Sequence, residues 1–581
     1  MNSKRNINLD ILKGIAIISV VLYHFGLMPL GYLGVDIFLV VNGYLVTKGL
    51  SRNVPNGVFN YIQFLYKKIL RLWPLVLLAS LVVLVISYFT KLPDDLENVG
   101  NSVVASNVFA NNILARITSK NYWDVTVAYK PLMHTWYLGI LMQCYIIYPL
   151  FFLLANKIGK SFNKSSKWIL GITVLISFLL YILPFGDDSE KFYFLQYRFF
   201  EIGLGGMLAL YLTGESDNKK GLWLITILAL TYICAVNLPV EDKQYKLVLV
   251  ALLSVCAVQL CVAHDNNDYF KGNLIFKTLG TLGEMSFSIY IWHQVIYALY
   301  RYSVHAEMDI YDFIIVLVIV AIVSWLSFKF IETPTGKFTK CENRKLIIVS
   351  CFIFVVTTGC GLYLHKVGGV VRDVPELDIT KENFQAGMHA QYNDRVYGIK
   401  EYKNNGKLKI LASGNSFMRD WVNVILESNY KDSVDIVYCY GIKDCSLDII
   451  KQADIIFILS SVRANMLPQD FYENLKEGSK ILAVGLKYFG ESNGNVYACR
   501  FTDGYHQMKV TVSDDFLKSY KEDKAYWGGQ YIDMMKPVLD ENRQVPVFTP
   551  EGKFISQDCH HLTKAGAQLY SRLIDLDECF K

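Results

Sequence analysis

Residues 9–24 read LDILKGIAIISVVLYH, an apolar stretch long enough to enter a membrane that nevertheless carries ionisable residues. Lys13 and His24 are eleven residues apart, close to three helical turns, so a helix places both on nearly the same face. At ~1.5 Å rise per residue they are roughly 16 Å apart along the axis, about half the hydrocarbon thickness of a bilayer. Ionisable groups at that depth usually line an internal cavity and mark a site. The alternative is a lysine that extends to the cytoplasmic surface and a histidine that caps the outer end of the helix.

The composition is that of an integral membrane protein. The 581 residues are too many for one core and indicate two or more domains. Hydrophobic residues make up 53% and aromatic residues 14% of the chain, whereas the net charge is only +5. We therefore expect the lipid bilayer, and no nucleic acid, as a partner. The twelve cysteines show no zinc-binding spacing and no CxxC pair, so no metal is expected; a Cys439–Cys445 bridge is left open.

Apolar runs of about 18 or more residues predict eleven membrane spans. They lie near residues 9–27, 31–50, 69–89, 132–155, 168–185, 196–213, 221–238, 245–263, 281–300, 311–330 and 345–365. Three clusters of lysine and arginine, within 48–71, 157–167 and 337–345, fall on one side if the N-terminus is cytoplasmic. Because eleven is odd, the C-terminal part is expected outside the cytoplasmic membrane, in the periplasm or at the cell surface.

The pattern changes after the last apolar run. Residues 367–406 are polar and predict a linker or wrapping extension, and from residue 407 short β-rich runs alternate with helical ones. Alternation on this scale predicts a small three-layer α/β domain with a mainly parallel sheet. We therefore divide the chain into a membrane domain at 1–340, an additional transmembrane helix at 341–366, the linker at 367–406 and the α/β domain at 407–581.

Ser416 lies where the first strand of the α/β domain meets its first helix. This junction places the hydroxyl at the carboxyl edge of the sheet beside free N–H groups, which can stabilise a tetrahedral oxyanion. A serine there can equally be a simple N-cap. Asp558 and His561, three residues apart near the C-terminus, supply the base and the group that orients it, both of which a serine nucleophile needs.

These two blocks resemble the SGNH-type hydrolases, whose first block is Gly-Asp-Ser and whose last block is Asp-x-x-His followed by Leu-Ser/Thr. The chain has Gly-Asn-Ser at 414–416 and Asp-Cys-His-His-Leu-Thr at 558–563. The resemblance implies Ser416 as nucleophile, His561 as base and Asp558 as its orienter. Gly441 and Asn465 are candidate oxyanion donors beside the Ser416 amide.

The N-terminal half resembles the acyltransferase-3 family, multispan enzymes that acylate cell-surface glycans. Lys13 to His24 fits its Arg/Lys-x10-His motif. Further similar segments are GYLGVDIFLVVNGYLVT (31–47), YKKILRLWP (66–74), PLMHTWYLGILMQCYIIYP (131–149), RFFEIGLGGML (198–208), LGEMSFSIYIWH (282–293) and FKFIETP (328–334). The glutamate that the family commonly has before Gln143 is absent, since Leu141 and Met142 stand there. Asp36 or Glu201 would have to compensate.

The resemblance implies acetyl-CoA as acyl donor. Lys13, Lys68 and Arg71 would hold its phosphates near the cytoplasmic face, and His24 would act as base or relay. The basic residues could instead only set topology. Asp36, His134, Trp136 and Glu201 are further candidates for the membrane site, although His134, like His293, could be an interfacial residue in an aromatic belt.

The function that follows is transfer of an acetyl group across the membrane to a hydroxyl of a lipopolysaccharide, peptidoglycan or other surface polysaccharide, through an acyl-Ser416 ester. Two alternatives remain at this point. One is an O-acetyl esterase with a membrane anchor, and the other is a transporter of an acylated lipid-linked sugar.

Overall fold

The computed structural model describes residues 6–580, apart from 119–128, 160, 212–242, 264–273, 306–307, 336–339, 383–387, 404–405 and 557. The chain forms two compact units. The first, here the helical unit, consists of Met1–Phe89, Glu97–Arg301 and Glu307–His365. The second, here the α/β unit, consists of Thr90–Leu96, Tyr302–Ala306 and Lys366–Lys581. The α/β unit therefore includes two short segments that precede residue 366 in the chain.

Helices account for nearly all of the described chain up to residue 366. They are α1 (Ile7–His24), α2 (Gly34–Asn53), α3 (Tyr61–Thr90), α4 (Pro93–Asn107), α5 (Asn111–Thr118), α6 (Trp136–Ile158), α7 (Phe162–Ile182), α8 (Asp188–Tyr193), α9 (Leu195–Tyr211), α10 (Lys243–Ala263), α11 (Leu274–Glu284), α12 (Ser286–Ser303), α13 (Ile310–Ser327) and α14 (Lys340–Lys366). A π-helical turn, Phe328–Glu332, continues α13. Within the described ranges, eight helices are long and apolar enough to cross a membrane.

The multispan helical architecture agrees with the sequence, and the number of spans stays a prediction. The run predicted at 196–213 forms α9, which is 17 residues long. The run at 221–238 lies outside the described residues. The run at 281–300, expected as one helix, includes a bend at Met285 between α11 and α12.

Glycines let α2 and α9 touch backbone to backbone. A Cβ atom on Gly43 would lie 1.9 Å from the carbonyl oxygen of Ile202, and one on Gly205 would lie 2.0 Å from that of Val40. Small residues at such positions allow membrane helices to approach closely. The contact brings Asp36 of α2 beside the charged residues of α9.

Glycines also allow close backbone packing between α1 and α11. A Cβ atom on Gly14 would lie 2.1 Å from the carbonyl oxygen of Leu279, and one on Gly283 would lie 1.7 Å from that of Asp10. The glycine just before the bend therefore packs directly on the first helix. A side chain at either position would separate the two backbones.

The α/β unit contains seven strands in its described residues. They are β1 (Leu408–Ser413), β2 (Val434–Cys439), β3 (Ile455–Leu459), β4 (Lys480–Val484), β5 (Lys509–Thr511), β6 (Tyr531–Ile532) and β7 (Gln544–Pro546). Five of them form a parallel sheet in the order β2-β1-β3-β4-β6, and β5 and β7 form a separate antiparallel pair. The helices are α15 (Met388–Tyr397), α16 (Ser416–Leu426), α17 (Leu447–Ile450), α18 (Gln469–Glu473), α19 (Asn493–Ala498), α20 (Asp514–Trp527), α21 (Lys564–Leu573) and α22 (Asp577–Phe580).

Alternate residues of the strands enter two different cores. Ile410 and Ala412 of β1 pack with Trp421 of α16, whereas Leu411 packs on the opposite side with Phe471 of α18. Because successive side chains of a strand point to opposite faces, this division places buried layers on both sides of the sheet. The α/β fold with a parallel sheet, expected from the alternation of strands and helices, is confirmed.

Two features lie beside the first strands. Val396 of α15, within the segment expected to be a linker, is fully buried in the same core as Trp421. Cys439 and Cys445 form a disulfide that closes the loop after β2. That loop is joined to the β1 turn, because Gly414 N–H donates to the Cys439 carbonyl at 3.0 Å.

Candidate active site

Ser416 is the first residue of α16 and follows the end of β1 by three positions. Asn415 is the N-cap, and its side-chain oxygen accepts a hydrogen bond from Phe417 N–H at 3.1 Å. Capping by Asn415 leaves the Ser416 hydroxyl available for another partner. Ser416 is only 3% exposed, so its hydroxyl lies in a largely desolvated position.

The three residues expected to act together are hydrogen-bonded in sequence. Ser416 Oγ lies 2.8 Å from His561 Nε2, and His561 Nδ1 lies 2.6 Å from Asp558 Oδ2. Because a carboxylate can only accept, Nδ1 carries the proton and Nε2 accepts from the serine hydroxyl. This is the arrangement of a serine nucleophile, a base and a group that holds the base in the required tautomer.

Asp558 remains ionised in this setting. Burial alone would raise the pKa of its carboxyl group, but hydrogen bonds from the His561 ring and the His561 backbone N–H, together with the electrostatic influence of that histidine, outweigh burial and hold the pKa below its usual range. Asp558 Oδ1 accepts from the backbone N–H of His560 at 3.1 Å and of His561 at 2.8 Å. An ionised Asp558 can stabilise the imidazolium that forms when His561 takes a proton.

The candidate oxyanion donors lie at the carboxyl edge of the sheet. Within the part of the chain that the structure describes, no acceptor is paired with the Ser416 N–H at the start of α16. Gly441 follows β2 and precedes the turn Ile442–Asp444. Asn465 lies in the turn Ala464–Met466 after β3 and is exposed. The Ser416 N–H belongs to the same residue as the candidate nucleophile, and oxyanion roles for it, Gly441 and Asn465 remain predictions.

In the helical unit, His24 belongs to a cluster of three histidines. His24 ends α1, and its ring centroid lies 5.0 Å from that of His293 in α12. The ring centroid of His134, in the turn before α6, lies 5.4 Å from that of His293. His134 and His293 are both buried. The sequence leaves His293 open between a site residue and an interfacial aromatic-belt residue, because nothing local to α12 shows that it packs against α1.

A second cluster contains three buried charges. Arg198 of α9 hydrogen-bonds Asp36 of α2, and its Nε lies 3.2 Å from Glu201 Oε1. All three side chains are at most 1% exposed. Phe192 lies beneath the guanidinium, 5.6 Å away, and its ring centroid lies 4.5 Å from that of Trp136, with the two rings tilted by 46°. The structure therefore joins Asp36, Glu201 and Trp136 around Arg198, a residue that sequence reasoning did not single out.

We expect Arg198→Met to destabilise the protein strongly, because it leaves two buried carboxylates without their cation. Breaking a buried ion pair from one side costs about 3–5 kcal/mol. The measurement is the thermal unfolding midpoint of the purified full-length protein in detergent. Neutralising all three residues, as Asp36→Asn, Arg198→Met and Glu201→Gln, should recover most of the loss. An unchanged midpoint for Arg198→Met alone would contradict the interpretation.

The basic residues expected to bind the donor lie near one another. Lys68 Nζ sits 4.2 Å from the centroid of the Tyr145 ring and within electrostatic range of Arg71. Arg71 and Lys13 both act electrostatically on Glu332, and Lys13 Nζ also bonds Asp10 Oδ1 at 2.9 Å. The basic side chains of α1 and α3 can attract phosphate groups. Among the described residues, no group of His, Cys, Asp and Glu side chains could hold a metal ion.

The matches to known proteins cover mainly the residues of the helical unit. Residues 6–329 match the model of the acyltransferase domain. Peptidoglycan O-acetyltransferase OatA of Listeria monocytogenes is 29% identical over 348 residues, which cover 57% of this chain and 56% of that protein. O-acetyltransferase OatA of Staphylococcus aureus is 28% identical over 353 residues, 57% of each chain.

A third relative, the putative peptidoglycan O-acetyltransferase YrhL of Bacillus subtilis, is 30% identical over 362 residues, which cover 58% of this chain and 56% of the relative. The chain thus spans little more than half the length of the curated relatives that it matches. No solved structure matches. Since the domain model covers more than half of the sequence, the chain belongs to the acyltransferase family defined by this domain.

Proposed function

We propose that the chain is a membrane O-acetyltransferase that moves acetyl from cytoplasmic acetyl-CoA to hydroxyl groups of a cell-surface glycan. The observation that carries the proposal is the hydrogen-bonded series Ser416–His561–Asp558. It occurs in a chain of a membrane acyltransferase family. The series provides a nucleophile for a covalent acyl carrier, and the family accounts for delivery of the acyl group.

The α/β unit would work in two half-reactions. In the first, Ser416 Oγ attacks the acetyl carbonyl while its proton moves to His561 Nε2, and that proton then leaves with the departing group. In the second, His561 takes the proton of a sugar hydroxyl, whose oxygen attacks the acetyl-Ser416 ester. Ser416 recovers its proton from His561 as the ester bond breaks. The Ser416 N–H would stabilise the oxyanion in both steps.

The helical unit would supply the acetyl group. Lys13, Lys68 and Arg71 would bind the phosphates of acetyl-CoA, and His24 would serve as the base for the first transfer. This assignment requires a cytoplasmic N-terminus and an α/β unit outside the cytoplasmic membrane. Two of the matched relatives are named for peptidoglycan, which favours that glycan over lipopolysaccharide as the acceptor.

Acetyl incorporation into glycan tests the proposal. Vesicles that contain the full-length protein are loaded with acetyl-CoA labelled in the acetyl group, and peptidoglycan fragments are supplied on the outside. We expect labelled acetyl on the fragments and a mass increase of one acetyl group per modified sugar. Fragments that only lose acetyl would indicate an esterase, and export of labelled material without acetylation would indicate a transporter. Either result would overturn the proposal.

A further inference from the structure

Asp420 lies one helical turn after Ser416 on the same helix, α16. It is fully buried, and its Oδ2 accepts a hydrogen bond at 2.9 Å from the backbone N–H of Leu562. Leu562 directly follows His561. The helix that carries the nucleophile therefore holds the segment that carries the base.

Two buried cations hold the Asp420 carboxylate. Lys487 Nζ lies 2.7 Å from Oδ2, and Arg419 Nη2 donates to Oδ1 at 2.9 Å. The side chains of Lys487 and Arg419 are 2% and 1% exposed. Lys487 also sits 4.7 Å from the centroid of the Phe417 ring, which lies 5.4 Å from the ring of His561. The charged cluster of Asp420, Lys487 and Arg419 thus lies next to His561 on the side of α16.

Chain connectivity does not determine the distance between Ser416 and His561, because 145 positions separate them. That distance must instead be set by contacts between α16 and the 558–563 segment. On the other side, Ser556 Oγ donates to the His561 carbonyl at 2.8 Å. With the Asp420 bond to the next N–H, the backbone on the C-terminal side of His561 is held from two directions.

We propose that Asp420, held by Lys487 and Arg419, is a positioning residue that sets His561 Nε2 against Ser416 Oγ. The inference rests on the proposed function, in which these two groups react. Buried ion pairs are poor sources of stability, because desolvation offsets much of their attraction. They do fix geometry, since each partner must keep its place to avoid an unpaired buried charge.

The decisive variant removes the carboxylate together with one cation, so that no new lysine charge is stranded. Asp420→Ala with Lys487→Met is made in the full-length protein in detergent. The readouts are the rate at which a fluorophosphonate probe labels Ser416, and kcat and KM for hydrolysis of 4-nitrophenyl acetate. We expect the labelling rate and kcat to fall about 100-fold, the loss typical of a displacement near 1 Å, with little change in KM.

A matched control removes another ion pair from the same helix. Glu427 follows the last residue of α16 and pairs with Arg395 at 2.9 Å. Arg395→Met with Glu427→Ala should leave the rate of Ser416 labelling unchanged.

A second test variant is used if Asp420→Ala with Lys487→Met does not fold. Asp420→Leu with Lys487→Met fills the space of the aspartate and also lacks the hydrogen-bond acceptor, so the same loss of labelling is expected.

A third double variant separates the role of the Asp420 hydrogen bond from that of its negative charge. In Asp420→Asn with Lys487→Met, the amide oxygen can still accept from Leu562 N–H, so most of the labelling rate should return. The inference would be overturned if the double variant with alanine or leucine at position 420 labelled within twofold of the wild-type rate. It would also be overturned if the double variant with asparagine labelled as slowly as the one with alanine. Absence of labelling in the wild type would instead overturn the proposed function.

Discussion

Ser416→Ala is expected to abolish acetylation of the glycan while acetyl-CoA is still consumed by the helical unit. Without the hydroxyl there is no acyl carrier in the α/β unit, and loss of such a nucleophile typically costs about 10⁶ in kcat. The measurement is labelled acetyl on peptidoglycan fragments, with release of free CoA followed in the same vesicles. The two readouts separate transfer within the α/β unit from the first step.

Ser433→Ala is the matched control. Ser433 is an exposed serine just before β2, whereas Ser416 lies at the opposite, carboxyl edge of the same sheet. The control should acetylate glycan at the wild-type rate. Full acetylation by Ser416→Ala would show that the α/β unit does not carry the acetyl group.

His24→Ala is expected to stop both CoA release and glycan acetylation. If His24 is the base of the first transfer, its removal takes away a contribution of about 10²–10⁴ to the rate. Ser416→Ala and His24→Ala should therefore differ in CoA release and agree in glycan acetylation. This difference would show that the helical unit acts before the α/β unit in the reaction.

The control for His24 is His365→Ala. His365 is an exposed residue of α14 that pairs with Glu97, and it lies in the same unit. Its removal should leave both readouts unchanged. CoA release by His24→Ala at more than a tenth of the wild-type rate would contradict a role for His24 as base.

The sequence was sufficient for features with a local signature. The strand-to-helix junction at Ser416 and the Asp558-x-x-His561 spacing are visible within a few residues, and the structure joins all three side chains by hydrogen bonds. The apolar helices and the parallel α/β sheet are likewise consequences of local periodicity and alternation. Roles for these residues in catalysis remain predictions that the variants above test.

Contacts between segments that are distant in the chain leave no local pattern in the sequence. Arg198 pairs with Asp36 across 162 positions, and no pattern near either residue indicates the other. The contact of His293 with His24 depends on how α12 packs against α1. Asp420 gave a partial signal, since it stands four residues after Ser416 on one helical face, but its partner Lys487 follows a different strand.

The paired glycine contacts of the helical unit restrict which of its helices can move past one another. Gly43 and Gly205 leave α2 and α9 without intervening side chains, and Gly14 and Gly283 do the same for α1 and α11. A shift that replaced one of these glycines at its contact by a residue with a Cβ atom would drive that atom into a carbonyl group. We therefore expect each pair to move as one unit. If the proposed function holds, an opening that admits acetyl-CoA would form at other helix boundaries.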